Sequence, residues 1–194
     1  MKRSYLTLFA LLACILVGCA IYSLANSPGR QTLDAGQISQ IVQLGTPPSL
    51  GQAQAWGIPA EPQKGQREKH THLALRIYWD GASWPVPQRL GYASNGQPLA
   101  IHTHAADAVV HLHLPDGTKP FTLRQVLELW GLPLQGNQIR GEDLWIWKNG
   151  KPWNNGLNQP IPDKADVVIE IDSRSKKVPL RKFDWSLIPL RSSN

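Results

Sequence analysis

Residues 108–131 read AVVHLHLPDGTKPFTLRQVLELWG, and the period of the apolar residues changes within them. Over Ala108–Leu114 the alternation is two-fold: Val110, Leu112 and Leu114 fall on one face and His111 and His113 on the other, as in a half-buried strand. Asp116-Gly117 follows with turn chemistry. The period then becomes helical. Thr122 is placed to cap a helix, Gln125 completes a Thr-x-x-Gln capping box, and Leu123, Val126, Leu127 and Trp130 share one face. Gly131 ends that helix and Pro133 prevents its continuation.

Working outward, the same alternation marks Thr71–Trp79, Pro98–His104, Asp143–Lys148 and Asp166–Ile171 as strands. Ala82–Pro87 reads as an edge strand, because Pro85 and Pro87 cannot donate to a ladder. Asp80-Gly81, Asn95-Gly96 and Asn149-Gly150 supply residues that tolerate the positive φ of tight hairpins. Strands, one helix, then strands is an α+β order, in which the helix covers one face of a largely antiparallel sheet.

The run from Val109 to Ile171, with VVHLHLPDG, the helix, the WIWKNGKPW hairpin and a closing DKADVVIEI strand, resembles the β-grasp (ubiquitin-like) fold. Sulfur carriers of that fold end in Gly-Gly, which this chain lacks, so the resemblance implies architecture and not their chemistry. Over His70–Ile171 the order HTHLALRIYWDG, IHTHAADAVVHLHLPDG, FTLRQVLELWG and WIWKNGKPW is similar to a functionally uncharacterised family of exported bacterial His-x-His domains. That family carries Asp directly after the second His; here Ala105-Ala106 intervene before Asp107.

The ends explain the charge. The chain has 194 residues and a formal charge of +6, which would suggest an anionic partner. Yet residues 26–172 hold 12 basic and 13 acidic side chains, and the excess lies in Lys2, Arg3 and the tail. A nucleic-acid binder carries its basic stripe on the folded domain, so no nucleic-acid partner is expected. Residues 5–25 contain no charge. That run is long enough for a membrane-spanning helix, and the preceding Lys2 and Arg3 keep the N-terminus cytoplasmic. Leu16-Val17-Gly18-Cys19 also resembles a lipoprotein lipobox, and cleavage after Ala25 is a third option. Each places the remainder outside the cytoplasm, anchored or released, with both Cys confined to the leader. The expected organisation is a membrane anchor or signal/lipoprotein segment (1–25), a flexible Gly/Pro-rich tether (26–68) with one helical hint at Leu33–Leu44, a His-rich β-grasp-like domain (69–172) and a basic tail (173–194). In the tail, Pro179 and Pro189 favour docking or disorder over a continuous amphipathic helix on a membrane.

All six histidines occur as His-x-His pairs: His70/His72, His102/His104 and His111/His113. Residues i and i+2 of a strand project from one face, so each pair presents two imidazoles together. The residues between and beside them (Thr71, Leu73, Leu75, Ile77; Leu99, Ile101; Val110, Leu112) are mainly apolar. The expectation is that all six histidines share the face opposite the helix and hold a transition metal. His102, His104, His111 and His113 are the leading ligands, and His70 and His72 either complete a second site or lie beside the first. Without Cys or an internal Met, imidazole donors suit Zn or Cu(II) as first choices. Asp107 reads either as an acceptor for an imidazole N–H or as an ordinary turn aspartate.

Two other classes stand beside this reading. A metalloenzyme would need an open coordination position and a general base, and Glu68 is the only Glu near a His pair in sequence. A glycan- or protein-binding module would use a Trp-bearing face: Trp145 and Trp147 alternate with Leu144 and Ile146, and Trp84 and Trp153 are candidates to join them.

Overall fold

The computed structural model describes residues 48–171 and 182–187. The expected anchor and the Leu33–Leu44 hint lie outside the described residues, as does most of the tail. Among the described residues, no helix is long and apolar enough to cross a membrane.

Among the described residues, strand β1 (Glu68–Trp79) is the longest element, and it lies inside the sheet. β2 (Ala82–Trp84) returns beside it through Asp80-Gly81. Both turn residues have positive φ, 45° and 78°, the mirror-image turn that matches strand twist. β3 (Ile101–His102) and β4 (Val109–Pro115) form an antiparallel pair, and β4 pairs antiparallel with β1. After the helix come β5 (Leu134–Gln135), β6 (Gln138–Ile139), β7 (Glu142–Lys148), β8 (Lys151–Pro152) and β9 (Ala165–Ile171). The sheet runs β3-β4-β1-β9-β7-β6-β5, with β2 and β8 pairing off this path. Every pairing is antiparallel except β1 with β9. The expected α+β class with a largely antiparallel sheet is therefore present.

The alternation read from the sequence sets the faces. Leu73, Leu75 and Ile77 of β1 lie level with Ala165, Val167 and Ile169 of β9, and Leu73 with Val110 of β4. All of them are buried. Helix α2 (Leu123–Leu129) adds Leu123, Val126 and Leu127 to the core. Its N-terminus carries the expected box: the Thr122 hydroxyl accepts from the Gln125 N–H, and the Gln125 side chain accepts from the Thr122 N–H at 2.9 Å. Two expected strands shorten. Ala82–Pro87 pairs only as far as Trp84, and Pro98–His104 is ladder only at Ile101–His102, because the flanking residues bond to the loop around Leu90 instead.

The last part of the expected tether is packed. A short helix, α1 (Leu50–Ala55), has a complete capping box on Ser49 and Gln52, and Ala53 and Ile58 are fully buried. The chain then runs along the 98–100 segment, where Ala100 N–H donates to Pro59 C=O and Glu61 N–H to Pro98 C=O. That path carries Glu61 to the histidines. Of the tail, Lys182–Leu187 is described: Phe183 N–H donates to the Asp166 carboxylate at 2.8 Å, so this piece docks on the domain.

Candidate metal centre

The register of three strands assembles the cluster. His70 lies opposite His113 and His72 opposite His111 across β1 and β4, while His102 lies opposite His111 across β3 and β4. Side chains at facing positions share a side of the sheet, so these five imidazoles are on one face. His104, just beyond β3, folds back to join them, its ring 4.7 Å from that of His102 and 4.5 Å from that of His111. The sequence placed all six together, and the structure brings all six together.

The finer grouping differs from the expected His102/His104/His111/His113 set. Ligand atoms of His70, His111 and His113 lie within 4.8 Å of one another, and so do those of Glu61, His102 and His113. His104 belongs to neither trio, and Glu61 belongs to one. Alternation could not reveal Glu61, because its position comes from the irregular 58–62 path and no strand period.

Two histidines are oriented by acceptors on their far nitrogens. His102 Nδ1 is 2.7 Å from the Leu99 carbonyl oxygen, which can only accept. Nδ1 therefore carries the proton and Nε2 keeps its lone pair. His113 Nδ1 is 3.0 Å from both Glu68 carboxylate oxygens, which fixes the same tautomer. Its Nε2 is buried with no hydrogen-bond partner and stands 3.4 Å from Glu61 Oε1. Metal-ligating histidines are held in this way, one nitrogen bonded outward to a carbonyl or carboxylate and the other left for the ion. Glu68 thus meets a histidine as an orienting carboxylate.

Nitrogen spacings fit coordination. His70 Nε2 and His111 Nδ1 are 3.1 Å apart, and the Nε2 atoms of His102 and His104 are 3.3 Å apart. Two nitrogens each at ~2.0–2.1 Å from one ion stand about 3.3 Å apart at a tetrahedral angle and about 2.9 Å at a right angle. Both pairs match an edge of such a polyhedron.

Burial lowers the proton affinity of five imidazoles, those of His70, His72, His102, His111 and His113. His102 is completely buried and His113 is 7% exposed. Burial lowers His102 to about 4, partly offset by its bond to Leu99. His113 falls to about 4 through burial first and then repulsion from His104 and His72. His111 falls to about 3 and His70 to about 4, again by burial first and neighbouring imidazoles second. His72 is lowered mainly by burial. Glu61 is raised by burial and then by Glu68. Neutral imidazole is the form that binds a metal.

Packing around His102 is close. Gly91, at φ +78°, faces the Ile101 carbonyl, and a Cβ there would run into that oxygen and come within 2.9 Å of His102 Cα. The ring of Tyr92 meets His102 edge-on, with the Arg89 guanidinium 4.1 Å above the tyrosine.

The other candidate residues fall elsewhere. Asp107 accepts from Val109 N–H at 3.0 Å, the turn role and not an imidazole bond. Trp145 and Trp147 face Glu170 and Val168 of β9, which face Tyr78 and Arg76 of β1. They are on the histidine side but beyond its far end. Trp84 does not join them: it pairs with Ile77, is buried on the core face and stacks on Trp79 at 4.9 Å. Trp153 is buried as well, under the Lys148 ammonium.

No protein-family model, curated protein or solved structure matches this chain.

Proposed function

We propose that this chain is a membrane-tethered, extracytoplasmic protein that binds a transition metal, Zn or Cu(II), through its clustered histidines. The observation that carries the reading is the pair His102 and His113. Each has its Nδ1–H engaged by an outer acceptor, and the His113 Nε2 is buried, unbonded and beside Glu61. A buried nitrogen without a partner costs about 1–3 kcal/mol, and an ion coordinated there would remove that cost. Imidazole with one carboxylate suits Zn and Cu(II). The tethered, exported setting rests on the uncharged 5–25 run behind Lys2 and Arg3. A β-grasp relationship belongs to the same proposal: its support is the central order β4-β1-β9-β7, parallel only at β1/β9, with α2 between β4 and β7 in sequence.

Elemental analysis of the full chain purified in detergent tests the metal reading. Stoichiometric Zn or Cu is expected, and the bound metal should fall when His102 and His104 are both replaced by Ala. A folded wild-type chain that takes up no ion overturns the reading. Protease accessibility of the His-rich domain in intact cells tests the topology.

A second reading rests on a separate place. Trp145, Trp147 and Trp153 with Asn137, Asn154 and Asn155 line a pocket of about 360 Å³, and Trp145 is 55% exposed. Flat indole faces beside amides suit a glycan. Quenching of tryptophan fluorescence by oligosaccharides, lost in Trp145→Ala, would support that module.

A further inference from the structure

The cluster offers more donors than one ion can use. Six imidazoles and the Glu61 carboxylate converge on one sheet face, whereas Zn takes four ligands in a closed site. Which donors go together is decided by His113. It lies within reach of both trios, but Glu68 occupies its Nδ1, so its remaining nitrogen serves one ion only. That nitrogen faces Glu61, and His102 presents its own Nε2 to the same trio. His113 is thereby committed to the buried side.

What remains is a second set. His70 Nε2 and His111 Nδ1 stand 3.1 Å apart, and the His72 ring is 4.6 Å from His70 and 4.9 Å from His111. These three are half-buried, unlike His102 and His113. His104 is exposed and stands between the sets, its Nε2 3.3 Å from that of His102 and its ring 4.5 Å from that of His111.

On the basis of the metal-binding reading, we infer that the cluster is two adjoining metal subsites meeting at His104, an inner one on Glu61, His102 and His113 and an outer one on His70 and His111 with His72 beside them, so that one chain holds two transition-metal ions. The ligand class is a first-row divalent ion accepting imidazole and carboxylate. The outer ion exchanges with solvent, and the inner ion, enclosed by Gly91, Tyr92 and the Glu61 segment, is retained.

The test titrates the full chain in detergent with Cu(II), reading bound copper by elemental analysis and its environment by electron paramagnetic resonance. The wild type should bind two ions and give a half-field signal from neighbouring Cu(II) pairs. A brief chelator wash should remove one ion and the half-field signal. The double variant H70A/H72A should bind one ion that resists the wash, and H102A one that does not, with no half-field signal in either. Because His102 is buried and H102A can fail to fold, Glu61→Gln, at a half-buried position, serves as a second inner-site variant with the same expectation. One ion in the wild type, lost in the inner and outer variants alike, would show a single shared site and overturn this inference while leaving metal binding standing. No ion in the folded wild type would overturn both.

Discussion

Acidification of the metal-free chain should destabilise it over a defined window, and His102 sets the scale. The residue is fully buried, its Nδ1–H held by Leu99, and it titrates at about 4 in the folded chain against an ordinary 6.5. A base whose folded pKa is depressed refuses a proton that the unfolded chain accepts. Stability is therefore complete above 6.5, falls as the pH drops towards 4, and levels off below that. Each pH unit in the window costs ~1.4 kcal/mol per such residue. His102 alone thus removes on the order of 3 kcal/mol, a large share of the ~5–15 kcal/mol that holds an ordinary domain. His113, His111 and His70 are depressed as well and steepen the fall. The assay is urea unfolding of chelator-treated protein at several pH values from 7.5 to 4, beside the non-titrating variant His102→Gln. The wild type should lose stability through this window and the variant should lose it with a visibly shallower slope. A wild-type curve flat from pH 7 to 4.5, or equal slopes in the two proteins, would refute the argument that burial holds this imidazole neutral.

Two further outcomes follow from local geometry. Gly91→Ala should destabilise the chain by about 2 kcal/mol or more, from a strained positive φ and a forced retreat from the Ile101 carbonyl; thermal unfolding measures it, and metal uptake should fall as β3 and His102 shift. Thr122→Ala should cost about 1 kcal/mol by removing the acceptor for the Gln125 N–H, measured by urea unfolding, with metal content unchanged because the helix N-terminus is remote from the histidine face.

Much of the fold could be read from the sequence because its signals were local. The Thr122/Gln125 box, the Asp80-Gly81 and Asn149-Gly150 turns and the alternation in β1, β4, β7 and β9 are each set within a few residues. The six histidines were legible for the same reason. Glu61 was not, since it reaches His113 from a segment with neither strand nor helix period, through bonds between 59–61 and 98–100. Glu68 was visible as a neighbour in sequence, but its orienting role needed the β1/β4 register, which sets it beside His113. Trp84 was misplaced because the alternation of an edge segment does not say which face of the neighbouring strand it joins. The Ile77–Trp84 pairing decides that.

The apolar side of the sheet is what specifies the site. A slip of one residue between β1 and β4 would carry His111 and His113 to the core face and expose Val110 and Leu112. Both of those are buried, level with or beside Leu73 and Thr71, so the slip forfeits about 1.5–3 kcal/mol for each large apolar side chain exposed and adds the desolvation of two imidazoles. The native register wins without an ion. His70/His113 and His72/His111 therefore face each other in the metal-free chain, and Leu99 and Glu68 set the tautomers of His102 and His113 by bonds internal to the protein. An ion reaching this face would find its donors already placed, so that little of its binding energy is spent on ordering the chain.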